Sequence, residues 1–168
     1  EFLREGSAIE DFMRPNRVIV GFESEKSKII MKNIYQPLYL IQTPILFTDL
    51  CSAELIKYAS NAFLAVKISF INQMADLCES LGTDVHHISR GIGLDKRIGN
   101  KFLHPGPGYG GSCFPKDTIA LSKIATDNNV ELTIVDNIIA YNRTRKKSLI
   151  NKLKSIVGKS LNEMNVGV

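Results

Sequence analysis

A stretch of the chain from Ala53 to Leu81 contains neither glycine nor proline, and it limits the fold more than any other feature. Asp49 and Ser52 precede it and are of the types that cap helix N-termini, while Gly82 after it is the type that often ends a helix. At ~1.5 Å per residue, one helix over this stretch would be roughly 40 Å long. Its apolar residues recur at helical spacing and cover a broad face, which predicts burial on more than one side or against a partner helix.

Around this stretch, the sequence predicts further helices and two short strands. Residues 17–21 and 45–48 are apolar runs typical of strands, and residues 23–36 form a helix candidate that Pro37 would end. Three more helices are predicted, over residues 84–92, 115–127 and 131–156. The predicted fold class is therefore mainly α, with a short α/β segment in front that has too few strands to make a sheet alone.

Composition and charge exclude several classes of protein. With 168 residues, of which 44% are hydrophobic and 23% charged, the chain is typical of a globular domain with a real core. It has no apolar run long enough to span a membrane. The net charge of +4 favours anionic partners, and a small molecule that carries a diphosphate fits it well. The basic cluster at residues 143–147 is better explained as a solvated helix face than as a nucleic-acid site, so we predict neither nucleic acid nor membrane as a partner.

The three cysteines are Cys51, Cys78 and Cys113. An odd number without regular spacing argues against a framework of disulfides. No C-x-x-C pair is present and no histidine lies at the spacing of a zinc ligand. We therefore predict a reducing, cytoplasmic setting and no metal site.

The strongest candidate for chemistry is the glycine-rich segment Gly108–Asp117. Its glycines allow close approach of the backbone to a ligand. Cys113 directly precedes a predicted helix, whose N-terminus favours a thiolate, and Lys116 adds a positive charge. Asp117 lies four residues after the cysteine and would return to the same side in helical geometry. On the residues alone, an inert packing cysteine beside a glycine-rich turn is the slightly better interpretation.

Three other segments carry polar groups that could act together. Lys57 and Asn61 share one face of the long predicted helix and could hold one oxygen between them. Residues 1–6 contain two carboxylates, and the basic loop 95–101 could meet a phosphate. Taken singly, each is better explained as an exposed polar surface.

Together, these segments closely resemble the UDP-glucose/GDP-mannose dehydrogenase family, and the resemblance extends over nearly the whole chain. The most specific segment is Gly106–Asp117. The matching segments are Glu-Phe-Leu-Arg-Glu-Gly at 1–6, Glu-Leu-Ile-Lys-Tyr-Ala-Ser-Asn-Ala-Phe at 54–63, Gly-Leu-Asp-Lys-Arg-Ile-Gly at 93–99, and Gly-Pro-Gly-Tyr-Gly-Gly-Ser-Cys-Phe-Pro-Lys-Asp at 106–117.

The resemblance implies three regions. Residues 1–50 would be the end of an NAD-binding Rossmann domain, residues 51–158 a helical central domain that dimerises and carries catalysis, and residues 159–168 the start of a nucleotide-binding domain. The chain looks truncated at both ends, and we expect the G-x-G-x-x-G dinucleotide fingerprint to be absent. We also expect that the flanking domains could be encoded separately.

The family's reaction assigns roles to particular residues. Its enzymes oxidise C6 of a nucleotide sugar twice, from alcohol to carboxylate, with two NAD⁺. By resemblance, Cys113 would form the thiohemiacetal and then the thioester. Lys57 and Asn61 would stabilise the oxyanion, Asp117 would position or activate water, and Glu1 would assist proton transfer.

Binding roles follow from the same resemblance. Glu5 and Lys116 would lie near the nicotinamide half of NAD, and Arg97 would reach the site of a dimer partner. The predicted substrate-binding residues are Glu1, Lys57, Asn61, Arg97, Phe102, Leu103, His104, Pro105, Gly106 and Gly110.

The resemblance is greatest to the enzymes that convert UDP-glucose to UDP-glucuronate. Three alternatives stay open from the sequence. The first is a related dehydrogenase of GDP-mannose or another nucleotide sugar. The second is an inactive dimerisation remnant of a disrupted gene. The third, a generic redox protein with a reactive cysteine, is disfavoured because no resolving cysteine accompanies Cys113.

Overall fold

The computed structural model describes residues 2–4 and 6–158, without the side chains of residues 39–41. The chain divides into two compact units, Glu1–Ser60 and Asn61–Val168. In chain order the elements are α1 (Ala8–Met13), β1 (Val18–Gly21), α2 (Glu25–Tyr35), a 3₁₀ helix (Gln36–Ile41), β2 (Ile45–Thr48), α3 (Leu50–Leu81), α4 (Val85–Gly93), α5 (Phe114–Asp127) and α6 (Thr133–Val157). The mainly α fold class is confirmed. The predicted domain boundaries stay predictions, and residues 159–168, predicted as the start of a nucleotide-binding domain, lie outside the described residues.

In the first unit, β1 and β2 pair in parallel, in register from Val18 opposite Ile45 to Gly21 opposite Thr48. The sequence analysis expected this segment to have too few strands to make a sheet alone. In the structure its two strands form a two-stranded sheet. The helix between them, α2, begins with a capping box in which Ser24 and Ser27 each bond the other's backbone N–H. It ends before the proline, as predicted, because the proline has no N–H to donate.

The short helix α1 was not predicted from the sequence. Its six residues are too few to show a periodic apolar pattern. Asp11 on this helix accepts hydrogen bonds from the Arg4 backbone N–H at 2.8 Å and from its guanidinium. These bonds fold the start of the first unit back onto α1.

The long helix α3 confirms the central prediction from the sequence. It begins at Leu50, three residues before the glycine- and proline-free stretch. Asp49 accepts a bond of 2.8 Å from the Ser52 N–H and so satisfies one of the donors of the first turn. Gly82 follows the last residue with φ +67°, a conformation that favours glycine.

The second unit has its core where α3, α6 and the glycine-rich loop meet. Ala65, Tyr109 and Ile138 form a buried cluster, and Val66, Ile68 and Phe114 pack against it. Asp84 caps α4 by accepting from the His86 N–H at 2.8 Å. In the part of the chain that the structure describes, no helix is long and apolar enough to cross a membrane.

Candidate active site

Cys113 is the N-cap residue of α5 and its side chain is exposed. Its carbonyl accepts the first hydrogen bond of the helix, from Asp117 N at 2.8 Å. Its Sγ lies 3.6 Å from the Ser112 hydroxyl. The backbone N–H groups of a first helical turn carry partial positive charge, which stabilises a neighbouring anion. An exposed thiol at this position is accessible to an electrophile.

Asp117 lies one turn after Cys113 and is buried, with 1% of its surface exposed. Its Oδ2 accepts a bond of 2.6 Å from Asn61 Nδ2 on α3, and its Oδ1 lies 2.9 Å from Lys116 Nζ. Donors and a cation compensate the hydration that a buried carboxylate loses. The structure thus brings together four residues that the sequence singled out, namely Asn61, Cys113, Lys116 and Asp117.

Lys57 lies four residues before Asn61 on α3, on the same face of the helix, and is partly buried. It belongs to the first unit and Asn61 to the second. Their predicted cooperation stays a prediction.

The predicted substrate-binding segment 102–106 alternates between anchored and exposed residues. Leu103 is buried, and its carbonyl accepts a 2.5 Å bond from Ser89 Oγ on α4. Phe102 has φ +63° and packs edge-on against Phe114, with 6.0 Å between ring centroids. His104 is exposed. The segment therefore has a fixed backbone from which some side chains face solvent.

Three side chains from α3 and α6 bind the backbone of Gly106 and Tyr109. Asn72 Oδ1 accepts from Gly106 N at 2.7 Å, and Arg145 Nε donates to Gly106 O at 3.0 Å. Asn142 Oδ1 accepts from Tyr109 N at 2.9 Å, and its Nδ2 donates to Tyr109 O at 3.0 Å. The side chains thus satisfy backbone groups that a loop would otherwise leave to water. We call this set of contacts the loop clamp.

Gly108 fits inside the loop clamp because it has no side chain. Its φ is +127°, where residues with a Cβ are strained. A Cβ at this position would also collide with Asn142 Oδ1. Both the conformation and the space at this point of the loop require glycine.

Arg145 is buried, with 8% of its surface exposed, and it is bonded on several sides. Its Nη1 donates to Asn72 O at 3.2 Å and also bonds the Asp76 carboxylate. Burial alone would lower the pKa of Arg145, but the hydrogen bond to Asp76 and the charges nearby raise it above its usual value. Tyr141 donates to the other oxygen of Asp76 at 3.1 Å. The guanidinium is therefore charged and held in one orientation.

Comparison with known proteins gives two matches to models of one family. The model described as "UDP-glucose/GDP-mannose dehydrogenase family, central domain" matches residues 51–144. The model of the NAD binding domain of the same family matches residues 1–39. The first match alone covers more than half of the chain. The chain belongs to the UDP-glucose/GDP-mannose dehydrogenase family.

Similar proteins include two curated dehydrogenases and one solved structure. The UDP-glucose 6-dehydrogenase of Rhizobium meliloti (strain 1021) is 51% identical over 100% of this chain and 39% of its own length. That of Rickettsia bellii (strain RML369-C) is 48% identical over the same shares. The structure of a UDP-glucose dehydrogenase from the hyperthermophilic archaeon Pyrobaculum islandicum matches with a TM-score of 0.89 at 39% identity, over 94% of this chain and 36% of that one. The chain thus spans about two fifths of the length of these relatives.

Asn72 and Asn142 were missed by the sequence analysis, although both lie within the range matched by the family's central domain. Arg145 was assigned with residues 143–147 to a solvated helix face, and its burial shows that this interpretation was wrong for Arg145. A signal was present on α6, where buried Val135 and Ile138 are followed at helical spacing by Asn142 and Arg145. Polar residues that continue an apolar stripe are buried polar groups, and these need partners. The spacing does not say which partners they find.

Arg97, which the family resemblance assigned to the site of a dimer partner, forms an ion pair of 2.6 Å with Asp95. The hydrogen bond from Arg97 lowers the pKa of Asp95. Lys67 Nζ on α3 donates to Ile98 O at 2.9 Å and holds the same loop. The guanidinium of Arg97 is exposed and lies on an anchored loop. Its role toward a partner copy stays a prediction.

Glu1 and Glu5 lie outside the described residues. The G-x-G-x-x-G spacing expected to be absent does occur, at Gly106, Gly108 and Gly111. It follows a helix rather than a strand, so it lacks the context of a dinucleotide fingerprint. Within residues 2–4 and 6–158, no group of three or more His, Cys, Asp or Glu side chains could hold a metal ion.

Proposed function

We propose that this chain carries the catalytic centre of a UDP-glucose 6-dehydrogenase, which oxidises the sugar C6 alcohol to a carboxylate and gives UDP-glucuronate. The observation that carries the proposal is the placement of exposed Cys113 one turn before buried Asp117, which is bonded to Asn61. Relatives named UDP-glucose 6-dehydrogenase, at up to 51% identity, support this choice of substrate over GDP-mannose.

The proposed chemistry uses one cysteine for two oxidation steps. Loss of a hydride and a proton converts the C6 alcohol to an aldehyde. The Cys113 thiolate then adds to the aldehyde carbon, and a proton completes the thiohemiacetal. Loss of a second hydride and a proton gives a thioester, and water displaces the thiolate to leave the carboxylate. Two NAD⁺ molecules would accept the two hydrides.

The other candidate residues have roles that their contacts support. The Asn61 amide has two N–H donors, and one of them bonds Asp117. The second would donate to the oxyanion that forms when Cys113 attacks, and Lys57 from the same helix face would add its charge. Asp117 would position or activate the hydrolytic water, and Glu1 would assist its proton transfer.

Two features support NAD as the cofactor, namely the fold of the first unit and the position of Lys116. β1, α2 and β2 form a parallel strand–helix–strand unit, the type from which dinucleotide-binding sheets are built. The Lys116 side chain is 68% exposed beside the candidate centre and would face the nicotinamide half, together with Glu5. The sugar and diphosphate would lie along residues 102–106 and Gly110.

A second copy of the chain is proposed as a partner. Phe63, Phe70 and Leu77 recur every seven residues on α3 and are all exposed. A row of this kind is typical of a helix that packs against another helix. Arg97 of one copy would then reach the site of its partner. The three free cysteines are consistent with a cytoplasmic setting, which is part of this proposal.

The test is production of NADH from UDP-glucose, followed by absorbance. It is made with the chain alone and with separately expressed NAD-binding and nucleotide-binding domains of the family. Cys113→Ala is the matched variant, since the side chain is exposed and its loss should not disturb the fold. We expect turnover that this variant abolishes. Full turnover by Cys113→Ala would overturn the assignment of the nucleophile.

Two further outcomes separate the alternatives. Turnover with GDP-mannose but not with UDP-glucose would assign the chain to a different substrate within the family. A folded chain without turnover under any of these conditions would favour the inactive remnant. Sedimentation of the chain as a monomer at all concentrations would contradict the homodimer.

A further inference from the structure

We propose that Arg145 and Asn142, one turn apart on α6, are positioning residues that set the reactivity of Cys113 through the loop clamp. The inference rests on the proposed function for the importance of Cys113. The restraint of the loop itself is independent of any reaction. Neither side chain contacts the thiol in the described structure, so their influence would pass through the backbone between Gly106 and Cys113.

The first step of the argument is the completeness of the loop clamp. The N–H and the carbonyl of Gly106 and of Tyr109 are all bonded by side chains, at 2.7–3.0 Å. A hydrogen bond that is lost inside a protein leaves its buried partner unpaired, which costs more than the bond contributes on average. Because the loop clamp bonds both Gly106 and Tyr109, it restrains the loop at two residues.

The second step leads from the loop clamp to the thiol. Tyr109 lies in the buried cluster with Ala65 and Ile138, and Phe114 packs against the same cluster. Cys113 directly precedes Phe114, so the segment 110–113 is a short span between two anchored aromatic residues. A shift of Tyr109 would change the path of this span and with it the direction of the Cys113 side chain.

The third step concerns the choice of arginine. Its planar guanidinium donates in fixed directions to Gly106 O, Asn72 O and Asp76. Lysine keeps the charge and could keep the pair with Asp76, but one ammonium cannot reproduce the fork. Arg145→Lys therefore separates the geometry of the clamp from the buried charge.

The experiment uses the 168-residue chain with Cys51→Ser, because Cys51 is exposed and would react beside Cys113, whereas Cys78 is buried. The rate of Cys113 alkylation by iodoacetamide and the hydrogen exchange of the Gly106 and Tyr109 amides are measured for each variant. The variants are Asn142→Ala, Asn142→Asp, Arg145→Lys and the matched control Lys147→Met. Thermal unfolding shows whether each variant keeps its fold.

We expect Asn142→Ala and Arg145→Lys to speed exchange of the loop amides at least about tenfold, equivalent to about 1.4 kcal/mol of local opening. We expect Cys113 alkylation to change in the same variants. Asn142→Asp keeps the acceptor for Tyr109 N but places a buried carboxylate oxygen against Tyr109 O, so its effect should be at least as large as that of Asn142→Ala. Lys147→Met removes a charge from an exposed position of α6 and should change neither rate.

Faster loop exchange with an unchanged alkylation rate would overturn the inference, since the clamp would then be structural only. Unchanged exchange would overturn it as well. If Asn142→Ala does not fold, the milder Arg145→Lys decides. Alkylation and hydrogen exchange can both be measured without turnover. If the variants respond as expected but the chain does not oxidise UDP-glucose, the proposed function is wrong and this inference stands. In an active preparation, Arg145→Lys should lower kcat more than it raises KM.

Discussion

The two units of the chain handle polar groups in different ways. Of the described residues of the first unit, Val18, Val20 and Thr43 are buried, and its ion pairs each include at least one exposed side chain. The second unit buries Asp117, Asn142 and Arg145, each with partners. Buried polar groups with satisfied bonds hold a backbone in one arrangement, whereas exposed pairs contribute little. The candidate catalytic residues Cys113 and Asp117 lie in the unit that buries charged and amide side chains in this way.

The comparison predicts that the two units differ in their free energy of unfolding. A two-stranded sheet is marginal in water, and the first unit exposes apolar side chains such as Ile9, Phe12 and Ile34. The second unit has a buried hydrophobic cluster that includes Tyr109 of the glycine-rich loop. We expect the first unit to open at a lower free energy than the second, as segments with few buried contacts do.

The largest effect is expected from Ile71→Ala. Ile71 is fully buried on α3, and its truncation should cost about 2–5 kcal/mol through lost contacts and a cavity. The matched change in the first unit, Val20→Ala, should speed exchange of the β1–β2 amides and leave unfolding of the second unit unchanged. Thermal unfolding and hydrogen exchange measure both. If Val20→Ala lowers both transitions equally, the two units unfold as one and the comparison fails.

A smaller effect is expected from Asp117→Asn, which keeps the shape of the side chain. It removes the carboxylate that accepts from Asn61 and pairs with Lys116, and should cost about 1–3 kcal/mol because the site is buried. Asp11→Asn is the matched change in the first unit, where the partner Arg4 is exposed. It should leave thermal unfolding of the second unit unchanged. Equal losses in that transition would show that the two units unfold as one.

Much of the fold could be predicted from local signals. The bounds of α3 follow from a stretch without glycine or proline between a capping aspartate and Gly82. The strands β1 and β2 were found as apolar runs, but their pairing was not, because pairing depends on contacts distant in sequence. The short helix α1 has no periodicity to detect.

In the candidate site, too, contacts between residues distant in sequence could not be predicted. The resemblance singled out Asn61, Cys113 and Asp117. A hydrogen bond joins Asn61 on α3 to Asp117 on α5, and Cys113 lies one turn before Asp117. Asn72 and Arg145 carried no motif, because their partners are backbone groups of a loop rather than other side chains. A sequence pattern indicates that such residues are buried. It does not indicate which carbonyl or N–H they bond.

The smallest effect concerns pH and also separates the two units. In the first unit, the Arg4 side chain and then its backbone N–H bond Asp11 and hold the pKa of that carboxyl below its usual range. Its contribution is present above the unfolded pKa and is lost as the pH falls through the folded value. In the second unit, burial raises the pKa of Tyr109. That contribution is present below an unfolded pKa of about 10 and is lost as the pH rises through the folded value.

Acid should therefore loosen the contact of Arg4 with α1, and alkali should destabilise the second unit. Tyr109→Phe removes the alkaline contribution, so thermal unfolding of the second unit should fall less with rising pH than in the parent chain. Tyr35→Phe in the first unit is the matched control and should leave that slope unchanged. The absorbance of tyrosinate identifies the pH at which the phenol ionises. If the unfolding temperature of the second unit falls equally with rising pH with and without the Tyr109 hydroxyl, burial of Tyr109 does not cause the loss of stability in alkali. The two units would then differ only in their response to acid.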